Sequence, residues 1–256
     1  PRVEAVLIPS LILNRSDSST TPVFCFIIKY SSPQSSPPAR QFVRRGQKAP
    51  RTSASAQRNN FCLYALCGKL LNMDREKALQ LLSSHLKNEN LLKHCLASEA
   101  IMRSLAKELN ADIEKWGLAG LLHDLDFEKT KDDPASHTLV SSRILEEHGI
   151  DNETIKAIKG HNAEALGINR ETTLDFALAA AETVTGLIIA TALIYPDKKL
   201  ESVKIKSILK RMKEKAFAKS VNREIIKECE HLGIPLERFI EISLKAMQEI
   251  SHDLGL

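Results

Sequence analysis

Four histidines and two carboxylates distributed along this 256-residue chain could together bind metal ions. They are His94, His123, Asp124, His137, His161 and Glu182. The central pair, His123 and Asp124, directly follows an apolar stretch over residues 116–122. Burying an ionised aspartate beside a histidine is costly unless both side chains are paired or bind a cation. We therefore predict a metal centre built around this doublet.

The spacing of the six residues favours a centre assembled from separate helices. Successive candidates lie 29, 1, 13, 24 and 21 residues apart, unlike the short local spacings of a zinc finger. Imidazole and carboxylate ligands without a thiolate suit Fe, Mn, Co, Ni or Zn, and Mg less well. Asp124 lies between two pairs of histidines in chain order, so its carboxylate is predicted to bridge two cations. Whether one or two divalent ions bind is left open.

The hydrophobic periodicity of the last two thirds of the chain is helical and strand signals are scarce, which predicts an all-α fold. Helices are predicted over residues 74–87, 89–109, 112–124, 173–194 and 221–232, and from Pro235 onward. Asp133 as N-cap and Pro134 as first helical residue predict a further helix that stops at Gly149. Asp151 is predicted to cap the next one. Residues 74–256 are therefore expected to form a single helical bundle.

Residues 1–73 differ in composition from the rest and are predicted to be a disordered leader. They carry ten Lys or Arg against two Asp or Glu, and residues 31–38 are rich in serine and proline. Such a composition cannot bury a core. One interpretation is an organellar transit-type segment, since those are rich in arginine and serine and poor in acids. The preferred interpretation is sequence ahead of the true start, outside the native protein, because Met73 directly precedes the first periodic helix.

Charge, cysteine content and hydropathy narrow the class of protein. Residues 74–256 hold 26 basic and 30 acidic residues, so no nucleic-acid polymer is expected as a partner. Five cysteines without a CxxC pair favour a reducing, cytoplasmic location over a disulfide framework. We expect no apolar run that approaches the roughly 20 residues of a membrane helix, and therefore no membrane contact. The oligomeric state is left open.

The order of these residues resembles the H…HD…D signature of the HD superfamily of metal-dependent phosphohydrolases. The segment Gly-Leu-Leu-His-Asp-Leu-Asp at 120–126 is similar to the central motif of that family, and His94 resembles its first histidine. His137 and His161 resemble the two additional histidines of the dinuclear, HDIG-type branch. The resemblance covers roughly residues 90–195. The chain is also similar to small HD proteins of bacteria and archaea. The resemblance implies a helical domain that binds divalent metal and hydrolyses a phosphate ester or anhydride.

The resemblance also implies roles for individual residues. All six candidates would be metal ligands, and Asp124, His137 and His161 would also take part in catalysis. If one ion binds, either of these histidines could instead contact the substrate or pass protons. Lys129 and Lys159 could hold a substrate phosphate, although a solvated surface position is the alternative for each lysine. The implied substrate is small and phosphorylated, such as a nucleotide or a related metabolite.

The sequence departs from the family pattern at the last ligand. The family has an aspartate where this chain has Glu182, and the additional methylene moves the carboxylate by about 1 Å, which can matter to catalysis. Asp175, two helical turns earlier on the same face, is the reserve candidate. The departure keeps open a degenerate HD module that binds a ligand or partner without catalysis. A di-iron oxygenase of HD type is a further alternative, which oxygen consumption would identify.

Overall fold

The computed structural model describes residues 73–256, so the predicted leader lies outside the described residues apart from Met73. Within that range the chain forms twelve α-helices and two short 3-10 helices, Leu200–Ser202 and Glu228–Leu232, with no strand. The α-helices are α1 (Arg75–His85), α2 (Glu89–Glu108), α3 (Ile113–Leu122), α4 (Phe127–Thr130), α5 (Leu139–Glu147), α6 (Asn152–His161), α7 (Ala163–Leu166), α8 (Thr173–Leu193), α9 (Ile205–Lys213), α10 (Arg223–Lys227), α11 (Leu236–Glu249) and α12 (Ser251–Leu254). The prediction of an all-α fold is confirmed.

Helix α8 is the centre of the bundle. Four of its alanines, Ala177, Ala179, Ala180 and Ala181, are fully buried and let neighbouring helices approach closely. Helices α2, α6, α9 and α10 all pack against it. Among the described helices, α8 alone is long and apolar enough to cross a membrane, with a mean hydropathy of 1.8, which corrects the expectation that no such run exists. Most of this apolar surface is buried by the surrounding helices.

A close contact between α2 and α3 shapes the first part of the site. A Cβ atom built on Gly120 would lie 2.8 Å from the carbonyl oxygen of Ser98 and 2.9 Å from the Cα atom of Glu99. Only glycine therefore lets α3 lie this close to α2. The buried carboxylate of Glu99 accepts a hydrogen bond from Arg75, which ties α1 to α2 on the same side, and another from Arg103 of α2 itself. The contact holds the end of α3 against the middle of α2.

Side-chain caps fix where the helices that carry the site begin. Asn88, Asp112 and Asp151 accept hydrogen bonds from backbone N–H groups in the first turns of α2, α3 and α6. These N–H groups have no partner within their own helix. The predicted cap at Asp151 is thus confirmed. The predicted helix start at Asp133 is wrong, because residues 131–138 form turns and α5 begins only after them.

Candidate metal centre

Five of the six predicted ligands converge where α2, α3 and α6 meet. His94 lies on α2, His123 is the C-cap of α3, and Asp124 follows it. His137 lies in the turns before α5, and His161 is the last residue of α6. Their ligand atoms form two groups of three, and within each group all the atoms lie within 4.8 Å of one another. Asp124 belongs to both groups.

The two carboxylate oxygens of Asp124 face two different pairs of histidines. Oδ2 lies 3.7 Å from Nε2 of His94 and 3.5 Å from Nε2 of His123. Oδ1 lies 3.2 Å from Nε2 of His137 and 3.4 Å from Nε2 of His161. Within each pair of histidines the two Nε2 atoms are 3.1 Å apart. This is the arrangement that a bridging carboxylate between two cations requires.

Main-chain carbonyl groups orient two of the histidines. Nδ1 of His123 donates to the carbonyl oxygen of Gly120 at 2.8 Å, and Nδ1 of His161 donates to that of Ile158 at 2.7 Å. Because a carbonyl oxygen can only accept, each Nδ1 carries the proton, and Nε2 of the neutral ring keeps a free lone pair. Both acceptors belong to the last turn of a helix, where carbonyl groups lack helical partners. The helix ends therefore set the tautomer of both rings.

A hydroxyl group of the central helix orients the first histidine. Nδ1 of His94 lies 2.9 Å from Oγ1 of Thr185. That hydroxyl donates its own proton to the carbonyl oxygen of Glu182 at 2.6 Å, so it accepts the proton of His94. Helix α8 thereby leaves Nε2 of His94 free to face Asp124. Thr185 was not predicted, because a single threonine on an apolar helix carries no signal in the sequence.

A buried carboxylate that was not predicted, Asp126, orients the fourth histidine. Its Oδ1 accepts from Nδ1 of His137 at 2.8 Å and from the N–H group of Thr138 at 3.3 Å. Its Oδ2 accepts from the N–H group of Ser141 at 2.8 Å. Burial raises the pKa of Asp126, but the hydrogen bond from His137 and those from the backbone outweigh burial and hold it below its ordinary value. The only signal in the sequence was a second aspartate two positions after the doublet.

The bonds of Asp126 explain why no helix begins at Asp133. Thr138 adopts a φ angle of 72°, which is unusual for a β-branched residue. In this conformation the N–H group of Thr138 and the ring of His137 both reach Asp126. A regular helix running from Asp133 through Thr138 would give up the positive φ angle on which this turn depends. The contacts with a distant buried carboxylate thus outweigh the local helix signal of Asp133 and Pro134.

Burial and neighbouring charges set the protonation of the cluster. Burial lowers the pKa of His94 and of His123 to about 4 and also lowers that of His161, which keeps the first two rings neutral at pH 7. Burial raises the pKa of Asp124, but the surrounding histidines outweigh burial and hold it well below its ordinary value. For His137, burial lowers the pKa, but hydrogen bonds to two aspartates outweigh burial and raise it to about 9.

The residues fit a divalent cation at each pair of histidines. The Nε2 atoms of His94 and His123 lie 3.1 Å apart, and both rings carry their proton on Nδ1. Two lone pairs facing each other repel unless a cation lies between them, and Asp124 adds a negative charge to the same space. In all four histidines of the cluster, Nδ1 donates to an acceptor, as the second ring nitrogen does in metal-binding histidines generally. Imidazole and carboxylate donors without thiolate suit first-row divalent ions.

Glu182 lies at the edge of the cluster, outside the two groups. Its Oε2 is 4.0 Å from Nε2 of His94, and its Oε1 accepts a hydrogen bond from the hydroxyl of Thr183. Burial raises its pKa to about 8, and the negative charge of Asp124 adds to this, whereas the bond from Thr183 opposes it. The role of Glu182 as the last ligand stays a prediction.

Asp175, the reserve candidate, is engaged at the beginning of α8. Its Oδ2 accepts from the N–H groups of Glu171 and Thr172 at 2.9 Å each, and the hydroxyl of Thr172 accepts from the N–H group of Asp175. This reciprocal arrangement is a capping box, which satisfies N–H groups at the helix start. Asp175 is therefore held at the N-terminal end of α8 and belongs to neither ligand group.

A cavity of about 390 Å³ opens onto the cluster. Its lining includes the cluster residues His94, Asp124, His137, His161 and Glu182, together with the apolar side chains of Ile189, Leu193, Val221, Ile225 and Leu254. Lys129 and Lys159, the predicted phosphate contacts, do not line it, and Lys129 is exposed on the surface. The lysine that does line the cavity is Lys93, which was not among the predicted phosphate contacts.

Curated proteins similar to this chain share part of it only. Ribonuclease Y of Thermosipho melanesiensis is 28% identical over 147 residues, which are 54% of this chain and 27% of that protein. Ribonuclease Y of Nitratidesulfovibrio vulgaris is 30% identical over 99 residues, 39% of this chain and 18% of that protein. The tRNA (cytidine(56)-2'-O)-methyltransferase of Thermoplasma volcanium is 26% identical over 156 residues, 59% of this chain and 44% of that protein.

The chain thus spans less than half the length of each of these relatives. The activities in their names differ, one being a ribonuclease and the other a methyltransferase, so similarity to them does not identify a substrate for this chain. No solved structure matches the chain. The family model of the HD domain matches residues 91–193. Because this match begins before His94 and ends after Glu182, it takes in every predicted ligand, and this part of the chain is similar to the HD domain family.

Proposed function

We propose that this protein is a metal-dependent hydrolase of a phosphate ester or anhydride. The observation that carries the proposal is the position of Asp124, whose two oxygens each face a pair of histidines. In both pairs the Nε2 atoms converge, and each Nδ1 is bound to an acceptor on the outside of the cluster. The match of residues 91–193 to the HD domain supports the same class of chemistry.

The cluster is suited to hold cations in positions fixed before a substrate arrives. A divalent cation there supplies a bound water of lowered pKa and neutralises the oxygens of a phosphate group. Asp124 would hold both sites close together. The acceptors behind each ring keep Nε2 aimed inward, and Asp126 increases the basicity of His137 by accepting its Nδ1 proton. Because these contacts are already made, binding needs little movement of the rings. His137, whose pKa is raised to about 9, must give up its Nε2 proton to the solvent when a cation binds there.

The cavity favours a small substrate. Its volume of about 390 Å³ falls in the range of pockets that enclose small ligands. Apolar side chains of α8 and α10, including Ile189, Leu193 and Ile225, form part of its wall beside the polar cluster. Such a wall would accept the apolar part of a phosphorylated metabolite, such as the base of a nucleotide. We therefore propose a nucleotide or related small molecule, and no nucleic-acid polymer, as the substrate.

A ligand-binding module without catalysis is the second candidate, and the placement of Glu182 favours it. This side chain is longer than the aspartate that the family pattern calls for. Its Oε2 lies 4.0 Å from His94, and its Oε1 is bound by Thr183. If the carboxylate stays with Thr183, the cations would lack one ligand. The protein would then bind a phosphorylated molecule without turning it over.

The decisive experiment measures metal content and hydrolysis on the same samples. Protein purified without chelators is analysed for metal and assayed for phosphate release from bis(p-nitrophenyl) phosphate, p-nitrophenyl phosphate and a nucleotide panel. We expect metal-stimulated hydrolysis that Asp124→Ala abolishes together with bound metal. Asp132→Ala, an exposed aspartate nearby, is the matched control and should change neither. Metal-loaded wild-type protein that leaves every ester and anhydride intact would refute the hydrolase proposal.

The second candidate is tested at Glu182. Glu182→Asp restores the residue type of the family pattern and shortens the side chain whose carboxylate Thr183 now binds. If the longer side chain impairs turnover, this variant should raise kcat without raising the affinity for substrate. A fall in both metal content and activity would show instead that Glu182 is itself a working ligand.

A further inference from the structure

Lys93 is the one lysine or arginine among the described residues that line the cavity. It lies on α2 directly before His94 and is half-buried. The acidic residues of the lining are Asp124, Glu182 and Glu164. Glu164 is already neutralised by Arg170, whose two terminal nitrogens each lie 2.9 Å from one of its carboxylate oxygens.

The ammonium group of Lys93 lies close to Gly255 and has no anionic partner among residues 73–256. A Cβ atom built on Gly255 would lie 3.1 Å from Nζ, so the ammonium group packs against the main chain that follows α12. Within the described part of the chain, no ion pair or hydrogen bond occupies this group. A half-buried cation loses hydration and, without a partner, recovers nothing in exchange. An anionic group of a bound ligand would supply that partner.

We propose that Lys93 binds a second anionic group of the substrate, separate from the phosphate that the metal cluster holds. This inference rests on the proposed function and narrows the substrate class. The ligand carries one phosphate for the cluster, one further phosphate or carboxylate for Lys93, and an apolar part for the wall that includes Ile189 and Ile225. A substrate whose reacting phosphate is its sole anionic group would leave the ammonium group unpaired.

Phosphonates test this without turnover, because their C–P bonds are not hydrolysed. Isothermal titration of metal-loaded protein compares propylphosphonate, which has one anionic group, with propane-1,3-bisphosphonate and 4-phosphonobutyrate, which have two. Charge-assisted hydrogen bonds to a partly buried group justify an expected gain of about tenfold in affinity for a dianionic probe. Preference for the bisphosphonate or for the phosphonobutyrate identifies the second group as a phosphate or a carboxylate.

Substitutions assign the gain to Lys93. Lys93→Gln keeps the chain length and should remove the preference for dianionic probes, while leaving the affinity for propylphosphonate and the metal content unchanged. Lys93→Arg should restore most of the preference. Lys129→Gln removes an exposed lysine outside the cavity and should have no effect. A thermal melt of each variant confirms that it is folded.

The inference is overturned if wild-type protein binds all three probes equally, or if Lys93→Gln keeps the preference. Its failure can be told apart from failure of the proposed function. If the protein hydrolyses phosphate esters but Lys93→Gln leaves the relative affinities for the three probes unchanged, the second anion site alone is overturned. A Lys93-dependent preference in a protein that hydrolyses no phosphate compound overturns the hydrolase proposal alone.

Discussion

The close contact between α2 and α3 makes a sharp prediction about two glycines. In Gly120→Ala the new methyl group would lie 2.8–2.9 Å from main-chain atoms of α2, which cannot move aside as a flexible side chain would. In Gly160→Ala the nearest atoms are those of the Asp175 side chain, at 3.6 and 3.7 Å, which is ordinary contact. Both glycines are buried within helices, so the two variants differ chiefly in the space that the methyl group enters.

These distances determine the expected change in the free energy of unfolding for each variant. Overpacking of a tight contact costs about 1–3 kcal/mol, and contact with main chain on the opposite helix places Gly120→Ala in the upper part of this range. Replacing a helical glycine with alanine returns about 1 kcal/mol. The free energy of unfolding should therefore fall by about 1–2 kcal/mol in Gly120→Ala, which lowers Tm by roughly 2–8 °C in a domain of this size. Gly160→Ala should raise Tm by a few degrees.

Thermal and denaturant unfolding of both variants, each with chelator present, measures this difference. Titration with Zn²⁺ or Mn²⁺ adds a second readout, because Gly120 also supplies the carbonyl group that orients His123. Separating α3 from α2 would move His123 away from His94, so Gly120→Ala should bind metal more weakly while Gly160→Ala binds normally. A Gly120→Ala protein as stable as wild type would refute the packing argument.

Three further substitutions test single contacts. Asp126→Asn removes the negative charge behind His137 and should weaken metal binding about 10–100-fold, as measured by competitive titration with a chelator. Thr185→Val, nearly the same shape, removes the acceptor behind His94 and should weaken metal binding at least tenfold without lowering Tm by more than a few degrees. Asp151→Ala removes the cap of α6 and should lower the free energy of unfolding by about 1 kcal/mol in urea denaturation at pH 7. Burial raises the pKa of Asp151, but hydrogen bonds from Lys115 and Thr154 outweigh burial and hold it below 3.8 in the folded state, so this last difference should shrink as the pH falls from 3.8 through the lower folded-state pKa.

Periodicity and the type of the ligands were enough to predict much of this molecule. The helices that carry His94, His123 and His161 could be predicted from apolar spacing and caps, since both are local in sequence. The side chains behind the ligands could not. Asp126 and Thr185 act through contacts with residues 11 and 91 positions away, and neither residue type is unusual where it stands.

The error in the turns before α5 has the same origin. Asp133 followed by Pro134 is a good local start for a helix, and a helix there is the expected result if neighbours in sequence decide. The turn forms instead because Asp126 binds the N–H group of Thr138 and the ring of His137. The helix signals of neighbouring residues therefore give the wrong prediction in the segment that directs His137 towards the cluster.

The two halves of the cluster are built by different means, and this determines how each would fail. His94 and His123 are held by the tight packing of α2 on α3, and the two helices make their closest contact at Gly120. His137 sits in a run of turns held by hydrogen bonds to one buried carboxylate, Asp126. Packing defects should therefore damage the first pair together with overall stability. Loss of the charge at Asp126 should damage the second pair in a bundle that otherwise stays folded, and Asp124 couples the two because each of its oxygens serves one pair.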